Sequence, residues 1–189
     1  MIAVSPKTYT PEEYLELEIV ATSRNEYHNG KIIPMTGGTP THNELIRAFT
    51  VILSLQLRRQ PYQIFLADQR LWIPDRQIYT YPDVMVVAKP IELQLGRKDT
   101  VTQPIFIAEI LSNSTKNCDR REKFADYRTI SSFQEYLLVD QTRPHVEQYI
   151  KQAANQWLLV EYGRPDDKFI SSSLGVEISL VDLYEGVDI

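Results

Sequence analysis

Two acidic residues stand where strand-like sequence otherwise calls for apolar side chains. Asp83 opens Tyr81-Pro82-Asp83-Val84-Met85-Val86-Val87, and Glu109 sits near the end of Ile105-Phe106-Ile107-Ala108-Glu109-Ile110-Leu111. Burying a carboxylate in such a run is costly unless it is paired, hydrogen-bonded or bound to metal. Either acid alone is as readily explained by an arginine or by backbone amides; two on consecutive strands favour a site. Mg²⁺ or Mn²⁺ suits the pair, because hard cations take oxygen ligands at about 2.0–2.1 Å and keep waters that serve as nucleophiles.

Further along, Asp119, Lys123 and Tyr127 are spaced by four and share one face of a predicted helix. A lysine facing two carboxylates orients an attacking water or offsets charge building on a phosphoryl group. The plainer alternative is a surface ion pair between Asp119 and Lys123, which is worth little. Tyr127 reads as a packing residue. His42 heads a long predicted helix, either as a proton acceptor or phosphate contact or as a helix-entry residue bonded to the backbone. His28 and His145 lack companion ligands and read as structural; Cys118 is a lone cysteine with no histidine near it in sequence. Lys116 to Arg128 holds five basic residues against three acids, a local excess that suits phosphate contacts or a solvated helix face.

The elements that position these residues are readable from caps, turns and periodicity. Thr10-Pro11-Glu12-Glu13 predicts a capped helix to about Ile19. Asn29-Gly30 predicts a tight hairpin within Arg24 to Met35. Apolar residues at helical spacing predict a long helix from Thr41 to Arg59. Strands follow at Gln63 to Ile73, Tyr81 to Ala88 and Pro104 to Leu111, with Lys89 to Gln103 as a surface loop. Ser112-Asn113-Ser114-Thr115 offers caps for a helix reaching about Ile130. Gln134 to Asp140 is a further strand, His145 to Ile150 and Gln156 to Tyr162 form a hairpin, and Gly175 to Leu180 adds a last strand. The expectation is one α/β (α+β) domain over residues 1–189, its mixed sheet flanked by helices.

Composition agrees and narrows the function. The 189 residues are 43% hydrophobic and 24% charged, as in an ordinary globular domain. A formal charge of −5 argues against coating nucleic acid or membrane by bulk charge, though not against a local basic groove. A single cysteine rules out an internal disulfide framework and a cysteine-rich zinc site. No apolar run approaches the roughly 18 residues of a membrane span, and Met1 to Pro6 lacks signal-peptide character. The expected compartment is the cytoplasm, with no membrane partner and no organic cofactor.

Taken in order, Pro82-Asp83, Glu109-Ile110-Leu111-Ser112, Ser114-Thr115, Asp119, Lys123, Tyr127 and Glu135-Tyr136-Leu137-Leu138-Val139-Asp140 resemble the Uma-type family of restriction endonucleases, within the PD-(D/E)xK nuclease-like superfamily. Asn29-Gly30-Lys31-Ile32-Ile33-Pro34-Met35 and His42 fit the same pattern. The resemblance covers Tyr9 to Val160. It implies a restriction endonuclease-like mixed sheet flanked by helices, with added β-hairpins at both ends, and a metal-dependent phosphodiesterase site. Its motif maps Asp83 and Glu109 onto the metal-binding carboxylates, and the carbonyl of Ile110 is expected to join them. Because a helix carboxylate often supplements the metal site in the superfamily, Glu44 is a secondary candidate beside His42, and Glu26 on the hairpin arm is a weaker one.

One departure matters. The position two after the second acid, lysine in the superfamily, is Leu111 here. Lys123 substitutes in space only if its helix leans over the strand end, since a helix starting near Asn117 places it about 9 Å along the axis. The leading expectation is Mg²⁺- or Mn²⁺-dependent hydrolysis of DNA by a homodimer, with the terminal hairpins as contact surfaces. A second reading, of another class, is a nuclease-like fold kept as a nucleic-acid-binding or protein-interaction module without catalysis. A third is hydrolysis of RNA.

Overall fold

The computed structural model describes residues 7–112 and 119–189. The predicted helix caps, Asn113-Ser114-Thr115 with a start near Asn117, lie outside the described residues, as do Lys116, Cys118 and the segment Met1 to Pro6.

The amino-terminal elements form as their spacing predicts. Glu13 N–H donates to the Thr10 hydroxyl at 3.2 Å and Thr10 N–H to Glu13 Oε2 at 2.8 Å, which satisfies orphan donors at both positions and starts α1 (Pro11–Val20). Asn29 and Gly30 take φ of 43° and 95°, the positive values a primed turn requires, and join β1 (Asn25–His28) to β2 (Lys31–Pro34). Helix α2 (Pro40–Gln56) is capped by Thr39 and has proline at its first position.

Then follow β3 (Tyr62–Leu66), β4 (Arg70–Ile73), β5 (Ile78–Thr80), β6 (Val84–Ala88), β7 (Thr100–Val101) and β8 (Pro104–Leu111). A π-helical turn at Asp119–Lys123 runs into α3 (Phe124–Tyr127), and β9 (Glu135–Asp140), β10 (Val146–Ala153), β11 (Gln156–Tyr162), β12 (Lys168–Ile170), β13 (Glu177–Ser179) and α4 (Leu180–Leu183) complete the chain. A six-stranded mixed sheet runs β11-β10-β9-β8-β6-β3, parallel only between β8 and β9. A second sheet runs β2-β1-β5-β4-β7, and β12 pairs with β13.

Several boundaries differ from the sequence expectation, and β5 and β12 are strands it did not contain; four of the differences have a local reason. Gln63 to Ile73 is two strands in two sheets, because the chain turns back where Gln69 N–H donates to the Leu66 carbonyl at 2.8 Å. Tyr81 to Ala88 pairs only from Val84, since Pro82 has no N–H for a ladder and Asp83 uses its side chain instead. The Lys89 to Gln103 loop contains β7, which pairs with β4. The helix expected to reach Ile130 ends at Tyr127, with turns closed by Ile130 N–H on the Tyr127 carbonyl and Phe133 N–H on the Ile130 carbonyl.

Strand alternation divides the large sheet between two cores. Val84, Val86, Phe106, Ala108, Ile110, Leu137 and Val139 face Leu45, Phe49 and Leu53 of α2. Met85, Val87, Ile107, Leu111, Tyr136 and Leu138 face the second sheet, through Leu71, Ile73 and Ile78, and Tyr127 of α3. Each such large apolar side chain contributes about 1.5–3 kcal/mol on full burial, so both faces of the sheet are held. Glu109 falls on the second face, between Ile107 and Leu111. A third cluster of Tyr14, Tyr27, Trp72 and Tyr79 fastens α1 to the smaller sheet. Among the described residues no helix is long and apolar enough to cross a membrane.

Candidate active site

The β6–β8 ladder reaches its last pair at Val84 and Ala108. Beyond it, Ile110 N–H donates to Asp83 Oδ2 at 2.8 Å, so a side chain takes the place that a strand backbone would fill. Because a strand residue projects its N–H and C=O to the same edge, the Ile110 carbonyl faces the Asp83 side as well. From the first turn of α2, His42 Nε2 lies 3.1 Å from the same Asp83 oxygen. The ring fits because residue 38 is glycine: a Cβ there would stand 2.7 Å from His42 Nδ1.

Glu109 is 2% exposed. Lys123 Nζ lies 3.2 Å from Glu109 Oε1 and 3.1 Å from Asp119 Oδ1, and the Tyr127 hydroxyl donates to Glu109 Oε1 at 2.7 Å. The turn bearing Lys123 therefore does lean over the end of β8. The Tyr136 hydroxyl holds it there by donating to the Asp119 carbonyl at 3.1 Å. Asp119 is 1% exposed, so its pairing with Lys123 is buried rather than a surface ion pair. On β1, Glu26 accepts from the Thr80 hydroxyl through Oε1, and His28 Nε2 lies 3.1 Å from Oε2.

The electrostatics follow from crowding four acids around one lysine. Burial pushes the Glu109 carboxyl up; Lys123 opposes this while Asp83 and Asp119 add to it, and the result is about 8. Burial alone would lower Lys123, but Glu109, Asp119 and Glu26 outweigh it and hold the ammonium well above the usual lysine range. For Glu26 burial acts upward, yet the His28 hydrogen bond, the Lys123 charge and the Thr80 hydroxyl together bring it to about 2. Burial and the adjacent Glu109 raise Tyr127 far enough that it remains a neutral donor.

These groups open on a cleft of about 340 Å³ lined by Glu26, His42, Asp83, Glu109, Ile110, Asp119 and Lys123, with Ile33 to Thr39 and Gln141 in its walls. Six of the seven residues singled out from sequence thus line it: Asp83, Glu109, Ile110, Lys123, His42 and Glu26. Glu44 does not, since two helical residues turn it about 200° from His42. Asp119, which the sequence leaves as a helix-face partner of Lys123, also lines the cleft; its signal is the four-residue spacing to Lys123. His28 supports Glu26 rather than standing alone. Leu111, 3% exposed, packs in the core on the Glu109 face. The basic excess of the following segment is partly committed, because Arg120 pairs with Glu147 at 2.6 Å and Arg128 lies over Phe124.

The donor set suits a hard divalent cation. Two carboxylates and a backbone carbonyl border one cleft, where Asp83 and Asp119 add to the burial that raises Glu109 and Lys123 opposes it. Among the described residues no group of three or more His, Cys, Asp or Glu side chains is disposed as a metal cage. That is compatible with Mg²⁺, which is usually held by one or two carboxylates and keeps several waters.

Comparison with known proteins bears on the family and the fold. The family model Uma2, described as "Putative restriction endonuclease", matches residues 11–182. Uncharacterized protein sll1609 of Synechocystis is 42% identical over 161 residues, covering 85% of this chain and 91% of the relative. Uncharacterized protein slr1290 of the same organism is 32% identical over 193 residues, covering 99% of both. A crystal structure from Anabaena variabilis, described as a "putative nuclease belonging to DUF820", superposes with a TM-score of 0.74 over 94% of this chain and 98% of that one. At 20% identity that likeness establishes the fold, a nuclease-like one.

Proposed function

The chain belongs to the Uma2 family, and from that premise we propose that it is a divalent-metal-dependent endonuclease that hydrolyses phosphodiester bonds of DNA. The observation that carries this reading is the convergence of Asp83, Glu109 and Lys123 in one cleft from three separate elements. Asp83 and Glu109, with the carbonyl of Ile110, would hold Mg²⁺ or Mn²⁺. When bound, such an ion supplies Lewis-acid polarisation of a phosphoryl oxygen and a water acidic enough to attack at neutral pH.

The chain's own groups do the rest. Lys123, kept protonated by its acidic neighbours, donates toward the scissile phosphoryl group and offsets the charge that develops on its oxygens. Tyr127 holds Glu109 in one orientation, and His42 with the Ile110 amide does the same for Asp83. Deep burial of Glu109 and Asp119 lowers the local dielectric, which strengthens each of these interactions. Leu111 favours a module without catalysis; Lys123, 3.2 Å from Glu109, supplies the cation that position 111 lacks and speaks for the enzyme.

The reading extends to a cytoplasmic homodimer, because cutting both strands of a duplex takes two sites. Light scattering at micromolar concentration that returns a monomer mass removes the dimer. Calorimetric titration of Mn²⁺ tests the site: one saturable binding event is expected, lost in Asp83→Ala and Glu109→Ala. Equal binding by the wild type and both variants overturns the assignment of these ligands.

A further inference from the structure

A second cavity, of about 350 Å³, is lined by Glu18, Ala21, Thr22, Ser23, Arg24 and Arg70. Arg70 is 8% exposed; its Nε donates to the Tyr81 hydroxyl at 2.8 Å, while Nη1 finds no hydrogen-bond acceptor among the described residues and has Asp99 Oδ2 only at 3.5 Å. A buried guanidinium with donors left unused is costly to keep. The Arg24 guanidinium lies 5.4 Å from the centre of the same Tyr81 ring, and its Nε donates to Asp68, whose side chain is 84% exposed. A pair so exposed is weak and readily exchanged. Glu18 lines the same cavity but makes no ion pair with either arginine; its oxygens accept from the Asn25 side-chain amide at 2.6 Å and from the Tyr81 hydroxyl at 3.4 Å. Two arginines and one acid leave the cavity one net positive charge. Tyr81 also lines the catalytic cleft, two residues before Asp83.

From this placement we propose that the Arg24–Arg70 cavity is a phosphate subsite that takes a backbone phosphodiester of the nucleic acid beside the one being cut. The proposal rests on the nuclease reading and deepens it. Guanidinium forks match phosphate oxygens in pairs, and the Thr22 and Ser23 hydroxyls add neutral donors. Tyr81, bonded to Arg70 and bordering the cleft, ties the position of the subsite to that of Asp83.

Binding of a labelled DNA duplex, measured by fluorescence anisotropy over a range of salt with Ca²⁺ in place of Mg²⁺, tests it. Removing one phosphate contact should weaken binding about tenfold near 0.1 M salt and reduce the salt slope by about 1. Arg24→Gln is expected to do both, Arg24→Lys to keep the slope, and Asp68→Asn to tighten binding by freeing Arg24. Arg47→Gln, which removes the same charge from a separate groove, is expected to change neither. If the wild type binds and Arg24→Gln binds equally with an unchanged slope, the subsite is wrong and the nuclease reading stands. A loss of nucleotide monophosphate binding in Arg24→Gln with DNA binding unchanged assigns the cavity to a free nucleotide and overturns it likewise. Wild type that binds no duplex removes both.

Discussion

Lys123 Nζ stands 3.2 Å from Glu109 Oε1, so a residue on a helical turn supplies the positive charge that strand β8, with Leu111 in its sequence, does not. The same ammonium is 3.1 Å from Asp119, which makes it the counter-charge of two carboxylates buried almost completely.

Replacing that lysine should cost stability as well as activity. Lys123→Met leaves Asp119 buried without its cation at neutral pH, and Glu109 likewise once it ionises, a change worth about 3–5 kcal/mol when one partner of a buried pair is removed. Urea denaturation at pH 7 is expected to show a loss of this size. A loss below about 1 kcal/mol, the range of a surface pair, would mean that the three groups do not meet as described.

Glu26 gives an acid limb to the stability profile. Its folded value, about 2, lies below that of an ordinary carboxylate, so its contribution is present above about pH 4.5 and is lost as pH falls toward 2. The contribution is at most about 3 kcal/mol. Denaturation midpoints measured across this window should fall less steeply in Glu26→Gln than in the wild type.

Glu109 works in the opposite sense. With its carboxyl raised to about 8, the folded protein holds a proton there that the unfolded chain releases near the ordinary carboxylate value. Stability of the metal-free protein should therefore decline as pH rises from about 4.5 to 8. Filling the site with a cation displaces that proton, so Mn²⁺ binding at pH 7 should release protons. Calorimetry in buffers of differing ionisation enthalpy reads this directly; equal heats in every buffer would contradict it.

Gly38 should matter through His42. Gly38→Ala places a Cβ 2.7 Å from His42 Nδ1, which forces the ring from Asp83. The expected cost is about 1–2 kcal/mol of stability with reduced Mn²⁺ affinity. His42→Ala should do the same, and the double variant should be no worse than either single one. Additive losses would show that the two residues act separately.

Much of this was legible in the sequence, and for physical reasons. Asp83 and Glu109 betray themselves because each interrupts an apolar run, and the hairpin and first helix start are local chemistry: Asn29-Gly30, and Thr10 with Glu13. The remainder depends on contacts distant in sequence. Glu26 gains Thr80 only because β1 pairs with β5 through Tyr27 and Tyr79. The reach of Lys123 depends on a π-helical turn that periodicity does not reveal. Strand boundaries at Gln69 and Asp83 were hidden because apolar residues continue on both sides of the break, into different sheets.

Incubation of supercoiled plasmid with the protein in Mg²⁺ or Mn²⁺, beside Asp83→Ala, Glu109→Ala and a chelator control, tests the assignment most directly. The account predicts metal-dependent nicking or linearisation by the wild type, lost in both variants and in chelator. Cleavage that survives both substitutions, or no cleavage of any DNA by a protein that binds Mn²⁺ at Asp83 and Glu109, would contradict it.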